Sequence, residues 1–195
     1  MRTAKINRKT FETEVNIEIN LDGSSRHQID SGLPFLDHML AQVSLHGLFD
    51  LTLEASGDLE IDSHHTVEDV GIALGQAVSQ ALADRKGIVR MGSARVPMDE
   101  AIAQVTLDLS GRSYSVFEFN WAESVVGGLP VSLITHFFES FASAAKTNLH
   151  AAIPYGRNGH HQAEALFKAF ARALDQASAI DPRRQDAIPS TKGQV

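Results

Sequence analysis

Apolar and polar residues alternate over Val15-Asn16-Ile17-Glu18-Ile19, the period-two pattern of a half-buried strand. Val105-Thr106-Leu107-Asp108-Leu109 carries the same pattern 90 residues later, and each run leads to a turn glycine, Gly23 and Gly111. Gly32-Leu33-Pro34 is echoed by Gly128-Leu129-Pro130, and proline suits a first helical turn. The pattern therefore predicts a helix near 35–46 that buries Leu36, Met39, Leu40 and Val43. A second near 131–146 buries Leu133, Phe137, Phe141 and Ala144. Strands are expected at 51–54 and 59–61 in the first half and at 149–153 in the second. Further amphipathic helices start at His64-His65-Thr66-Val67-Glu68 and at His160-His161-Gln162-Ala163-Glu164.

Each half thus reads as strand, strand, helix, strand, helix. A repeat of half the chain length points to duplication. The expected fold class is α+β: two duplicated α/β half-domains, each a small sheet packed on two helices. The halves are placed at 1–93 and 94–195 within one compact unit, with 85–96 joining them. The polar, proline-containing tail at about 181–195 is expected to be either disordered or a functional flap.

Six of the nine histidines fall at equivalent places in the two halves: His38 with His136, and His64-His65 with His160-His161. The lone histidine precedes its pair by 26 residues in one half and by 24 in the other, and a glutamate follows each pair, Glu68 and Glu164. Residues three and four apart share a helix face, so each glutamate lies near both members of its pair. Adjacent histidines diverge by roughly 100° about the axis and can point at different ions. His38, His64, His65, Glu68, His136, His160, His161 and Glu164 make eight ligands. Shared between two ions, they give three imidazoles and a carboxylate each. An octahedral ion held this way keeps two positions open, as a catalytic metal requires. The ligand types suit zinc, copper, iron, nickel or manganese and do not choose among them. His27, His46 and His150 have no such partners, and on residue grounds each reads as a capped or half-exposed side chain.

Composition narrows the picture. The net charge of −7 and the absence of any dense Lys/Arg run exclude a nucleic-acid binder. With no cysteine, disulfides, iron–sulfur clusters and thiolate zinc sites are excluded, so any metal is held by nitrogen and oxygen. Neither a secretory signal nor an apolar run of membrane-spanning length is expected, which makes the cytoplasm the default location and excludes a membrane partner.

Several stretches together resemble the imidazoleglycerol-phosphate dehydratase family, in its monofunctional form. They are Arg8-Lys9-Thr10-Phe11-Glu12-Thr13, Phe35-Leu36-Asp37-His38-Met39-Leu40, His64-His65-Thr66-Val67-Glu68-Asp69, Pro97-Met98-Asp99-Glu100, Asp108-Leu109-Ser110-Gly111-Arg112, His136-Phe137-Phe138, the run 160–174, and Pro189-Ser190-Thr191-Lys192-Gly193. The resemblance runs from Arg8 to Gly193 and departs from the family at no functional position. It implies a ribosomal-protein-S5 domain-2-like fold, two Mn2+ per active site, and self-association into a 24-subunit shell with sites between subunits. It also implies a hydro-lyase of histidine biosynthesis that converts imidazole glycerol phosphate to imidazole acetol phosphate.

In that reading the open metal positions take the substrate's own imidazole. A metal-bound ring is easier to deprotonate, and can then push electrons toward the side chain to help expel the neighbouring hydroxyl. The resemblance makes Glu12 the general acid–base. It puts substrate contacts at Glu12, His38, His46, His64, His65, Glu68, Arg90, Arg112, His160, His161, Glu164, Lys168, Ser190, Thr191 and Lys192. Arginine offers phosphate a planar fork and lysine a point charge. Two other classes also use such ligands. A dinuclear metallohydrolase would hold two ions about 3.5–4 Å apart over a bridging water, and a metal store or sensor would show no turnover.

Overall fold

The structure, a computed structural model, describes residues 1–184 and 187–193. Among these, strands β1 (Thr3–Lys9), β2 (Thr13–Asn20) and β3 (His27–Asp30) precede helix α1 (Pro34–Gly47), strand β4 (Asp50–Gly57) and helix α2 (His64–Leu82). The second half repeats this with β5 (Met91–Met98), β6 (Ala101–Asp108), β7 (Tyr114–Phe119), the short hairpin β8 (Val125–Val126) and β9 (Leu129–Pro130), α3 (Val131–Ala145), β10 (Asn148–Tyr155) and α4 (Gly159–Ser178). The two four-stranded sheets have the orders β1-β2-β4-β3 and β5-β6-β10-β7. In both, the last strand of the order runs parallel to its neighbour while the other pairs are antiparallel. The fold class is thus α+β in two half-domains of one topology.

The alternation that predicts β2 and β6 also sets their inner faces. Val15, Ile17 and Ile19 are buried on one sheet, and Ala103, Val105 and Leu107 on the other. Helices α1 and α3 bury the expected stripes, except that Ala144 is only partly covered. Helix α2 packs along α3, and α1 along α4, so the two halves meet through their helices and leave the sheets outside. Apolar side chains from both halves form one continuous core, in which Phe137, Phe138, Phe141, Phe167 and Phe170 stack edge-on or tilted against one another.

Several sequence expectations need correction. Residues 59–61 form a turn rather than a strand; Ile61 donates its N–H to the Asp58 carbonyl and leaves its own side chain exposed. The second half of the expected joining segment 85–96 belongs to β5, which pairs with β6 along its whole length. Its inward positions include Gly92 and Ala94, too small to give a hydrophobic signal. The division placed between residues 93 and 94 therefore falls within a strand of the second sheet. Where a pair of strands is expected before each first helix, three (β1, β2 and β3) precede α1, and β5, β6 and β7 with the β8–β9 hairpin precede α3. Of the expected tail, residues 185, 186, 194 and 195 lie outside the described residues. The remainder is tied down where Asp181 donates its N–H to the Gly87 carbonyl and Ala187 accepts one from Gly87.

The α2–α3 spacing depends on Gly75. A β-carbon there would come within 2.6 Å of the Phe141 carbonyl oxygen and 2.8 Å of Ala144 Cβ. On an exposed helix face, Gly→Ala gains about 1 kcal/mol of helix propensity. Here we expect Gly75→Ala to destabilise the protein instead, by about 1–3 kcal/mol, because backbone atoms must move apart. Urea denaturation measures this, and a stabilised variant would show that the helix spacing is set elsewhere.

Candidate metal centre and substrate pocket

The histidine pairs sit in the first turns of α2 and α4. The Asp62 carboxylate accepts the His64 N–H at 2.7 Å, and the Asn158 side chain caps α4 by accepting the His161 N–H at 3.2 Å. Each of these helix starts meets the first helix of the opposite half.

Two clusters result. In one, His38 of α1 faces His160 and Glu164 of α4: Glu164 Oε2 lies 3.4 Å from His38 Nε2 and 3.2 Å from His160 Nε2. In the other, His136 of α3 faces His64 and Glu68 of α2, with Glu68 oxygens 3.5 Å from His136 Nε2 and 4.0 Å from His64 Nε2. The paired rings are inclined by 32° in both clusters, with centroids 5.4 and 4.7 Å apart. One ligand atom from each of three residues falls within 4.8 Å of the other two, the spacing of donors that can share an ion. His136 Nε2 is buried without a hydrogen-bond partner, a costly state for a ring nitrogen that a metal bond would relieve. A hard or borderline divalent ion fits these nitrogen and oxygen donors.

The second member of each pair turns away. His65 stands at 84° to His64, and His161 at 86° to His160. His65 Nδ1 lies 3.0 Å from Asp58 Oδ2 and 3.7 Å from Glu12. His161 Nδ1 lies 2.7 Å from Glu100 Oε2, and its Nε2 is 3.7 Å from Asp99. Hydrogen bonds from His161 and from the Arg157 and Asn158 backbone hold the Glu100 carboxyl down at about 2, and the same contact pushes His161 up. Each cluster within one chain therefore holds two imidazoles and one carboxylate. His65 and His161 stand outside both.

The expected substrate contacts fall into two separate groups. Lys168 lies beside the first cluster, with Nζ 2.6 Å from Glu164 Oε1. Burial pushes the Glu164 carboxyl up, but the Lys168 ammonium together with His38 and His160 outweighs this and the net direction is down. His46 is pushed down by burial and by Lys168 and Arg172. By contrast Arg90, Arg112, Ser190, Thr191 and Lys192 line a cavity of about 470 Å³, together with Arg184. Arg90 is already engaged there: Nε and Nη2 donate to Asp108 at 2.7 and 2.9 Å, and Nη1 donates to the Pro189 carbonyl at 2.7 Å.

Comparison with known proteins places the chain. The family model for imidazoleglycerol-phosphate dehydratase matches residues 31–174. The chain belongs to that family. Relatives of that name from Nitrosomonas europaea and Dehalococcoides mccartyi are each 53% identical to it. The Nitrosomonas match covers 99% of this chain and 98% of the relative; the Dehalococcoides match covers 100% and 97%. Two solved structures share the fold. The imidazoleglycerol-phosphate dehydratase of Staphylococcus aureus is 36% identical, covers 92% of this chain with 99% of its own, and has a TM-score of 0.83. That of Pyrococcus furiosus, solved in complex with (S)-C348, is 32% identical, covers 97% with 100% of its own, and has a TM-score of 0.84.

Family membership accords with the ligand pattern and does not by itself account for Asp58, Glu100 or Arg184. Glu100 falls within one of the family-like stretches, but the sequence assigns no role to it, to Asp58 or to Arg184. Glu100 carried a usable signal, because it precedes β6 as Glu12 precedes β2. Asp58 and Arg184 reach their places through loops with no periodicity to read.

We expect metal-stripped protein to gain stability on addition of Mn2+ or Zn2+, by about 2.7 kcal/mol at a hundred times the dissociation constant. The gain should vanish when Glu68 and Glu164 are both replaced by alanine. If no divalent ion shifted thermal unfolding of the parent protein, the metal-centre reading would be lost.

Proposed function

We propose that this chain catalyses the dehydration of imidazole glycerol phosphate to imidazole acetol phosphate in histidine biosynthesis. The observation that carries this is the pair of matched His/Glu clusters, each assembled from both halves, in a chain of the imidazoleglycerol-phosphate dehydratase family. The overall change breaks the C–O bond on the carbon next to the ring and a C–H bond on the following carbon. Water leaves, and the resulting enol ketonises.

Two divalent ions, manganese by family resemblance, would be held by His38, His64, His65, Glu68, His136, His160, His161 and Glu164, and would acidify the substrate's ring at their open positions. Glu12 moves the proton. Its side chain is half-exposed and 3.7 Å from His65, and so is free to approach a bound substrate. His46 and Lys168 flank the first cluster and meet the substrate beside it.

Arg112, Ser190, Thr191 and Lys192, with Arg90, receive the phosphate. Their cavity lies at the far end of α4 from the first cluster, since Arg90 donates its N–H to the Ala177 carbonyl while the ligands stand at 160–164. Thirteen residues of helix separate Glu164 from Ala177, a rise of about 20 Å. A substrate with three carbons between ring and phosphate is far shorter. The phosphate cavity of one chain therefore serves the clusters of another copy, in keeping with the family's 24-subunit shell and its sites between subunits. No described helix is long and apolar enough to cross a membrane, and we place the enzyme in the cytoplasm.

Protein stripped of metal should regain dehydration of imidazole glycerol phosphate with Mn2+ or Zn2+; inactivity with every divalent ion would sink the proposal. Glu12→Gln should lower turnover by about 10²–10⁴-fold while metal content stays at the parent level. Unchanged turnover would remove Glu12 from the mechanism. Arg112→Ala should raise KM strongly with normal metal content, and loss of metal instead would mark Arg112 as structural.

A further inference from the structure

The two half-domains hold the second histidine of each pair in different ways. In the first half, His65 Nδ1 is 3.2 and 3.0 Å from the two Asp58 carboxylate oxygens. Asp58 directly follows β4. The residue that directly follows the matching strand β10 is Gly156. A side chain cannot be accommodated there, because a β-carbon would come within 2.6 Å of Gln162 Cγ and 2.9 Å of Ala101 Cβ. Gln162 cannot step aside cheaply: it is fully buried, its Nε2 donates to the Asn120 carbonyl at 2.8 Å, and its Oε1 accepts the Ala122 N–H at 2.9 Å. The second half therefore has no place for a counterpart of Asp58.

Glu100 takes over that contact from another element. Its Oε2 lies 2.7 Å from His161 Nδ1, and its Oε1 accepts the N–H groups of Arg157 and Asn158, both at 2.9 Å. Both carboxylate oxygens are thus committed. Glu100 occupies the hairpin position immediately before β6, and Glu12 holds the matching position before β2. Yet Glu12 stays 3.7 Å from His65 Nδ1, beyond hydrogen-bond distance.

We propose that Asp58 and Glu100 are positioning residues that hold His65 and His161 with Nδ1–H as donor, turning Nε2 outward as the metal-binding nitrogen. Asp58 thereby releases Glu12 from the task that occupies its counterpart. A carboxylate accepting from one ring nitrogen fixes the tautomer and the ring orientation, and makes the other nitrogen a better ligand. The duplicated glutamates have diverged accordingly: Glu100 is locked, and Glu12 is free to move a proton. The inference rests on the reading of His65 and His161 as metal ligands.

The test is Mn2+ affinity of the full-length protein, read from the electron paramagnetic resonance signal of free Mn2+, beside thermal unfolding of the metal-free form. Asp58→Ala should weaken Mn2+ binding by about 10–100-fold and leave metal-free unfolding unchanged. Asp58→Asn should restore most of the affinity, since its amide oxygen can still accept from Nδ1. Glu100→Gln should not be rescued in this way. Its amide oxygen is needed by the Arg157 and Asn158 N–H groups, so its NH2 group faces Nδ1 and favours the tautomer that protonates Nε2. Parent-level affinity in Asp58→Ala and Glu100→Gln, with affinity lost in His65→Ala and His161→Ala, would overturn the inference alone. A lower metal-free melting temperature with unchanged affinity would do the same. Unchanged affinity in both histidine variants would overturn the ligand reading on which it stands.

Discussion

The close approach of helices across the duplication is the constraint on which the site depends. Neither of the two matched His/Glu clusters lies within one half-domain. His38 needs α4 beside α1, and His136 needs α2 beside α3. The force holding these helices together is burial of apolar surface, with Phe137, Phe141, Val70, Leu74 and their neighbours fully out of water. That packing is close enough to require a glycine at position 75. Because packed helices interdigitate rather than slide, the ligand atoms are set by the core before any ion arrives. Only then is it tolerable to leave a ring nitrogen such as His136 Nε2 buried without a hydrogen-bond partner.

Charge is divided along the same framework. The helix starts gather Glu12, Asp58, Glu68, Asp99, Glu100 and Glu164 around six imidazoles. The cavity at the other end of α4 gathers Arg90, Arg112, Arg184 and Lys192. The formal charge of −7 describes neither region. One region attracts cations and the other anions, and a substrate with a metal-binding ring at one end and a phosphate at the other matches both. Their separation within a chain makes association of copies part of the proposed chemistry rather than an accessory to it.

How much of this the sequence discloses depends on the range of each interaction. Large apolar side chains at regular spacing give α1 and α3 to within one residue at either end, with Pro34 marking the start of α1. In β5 the inward face opens with Gly92 and Ala94, and only Val96 and Met98 add larger apolar groups, so the strand leaves a weak hydrophobic trace. The histidine pairs are visible because they are local and duplicated. Their spacing places Glu68 equally near His64 and His65, whereas the structure joins Glu68 to His64 and sends His65 to Asp58. That choice is made by a loop, and a loop has no period. The pairing of α1 with α4, and of α2 with α3, is also absent from the pattern, since any amphipathic face specifies burial without specifying a partner.

Arg90 shows how framework and site merge. A guanidinium has five N–H groups, and three are spent on Asp108 and the Pro189 carbonyl. Two remain able to donate to an anion in the cavity. The contact with Pro189 holds the chain one residue before Ser190, so Arg90 sets the wall that carries Ser190, Thr191 and Lys192 into the cavity. Its own backbone is fixed in turn by the Ala177 carbonyl near the end of α4. The helix that begins with His160 and His161 therefore ends by holding the anchor of the cationic cavity. A shift of α4 along its axis would disturb the candidate metal ligands and the wall of the cationic cavity together.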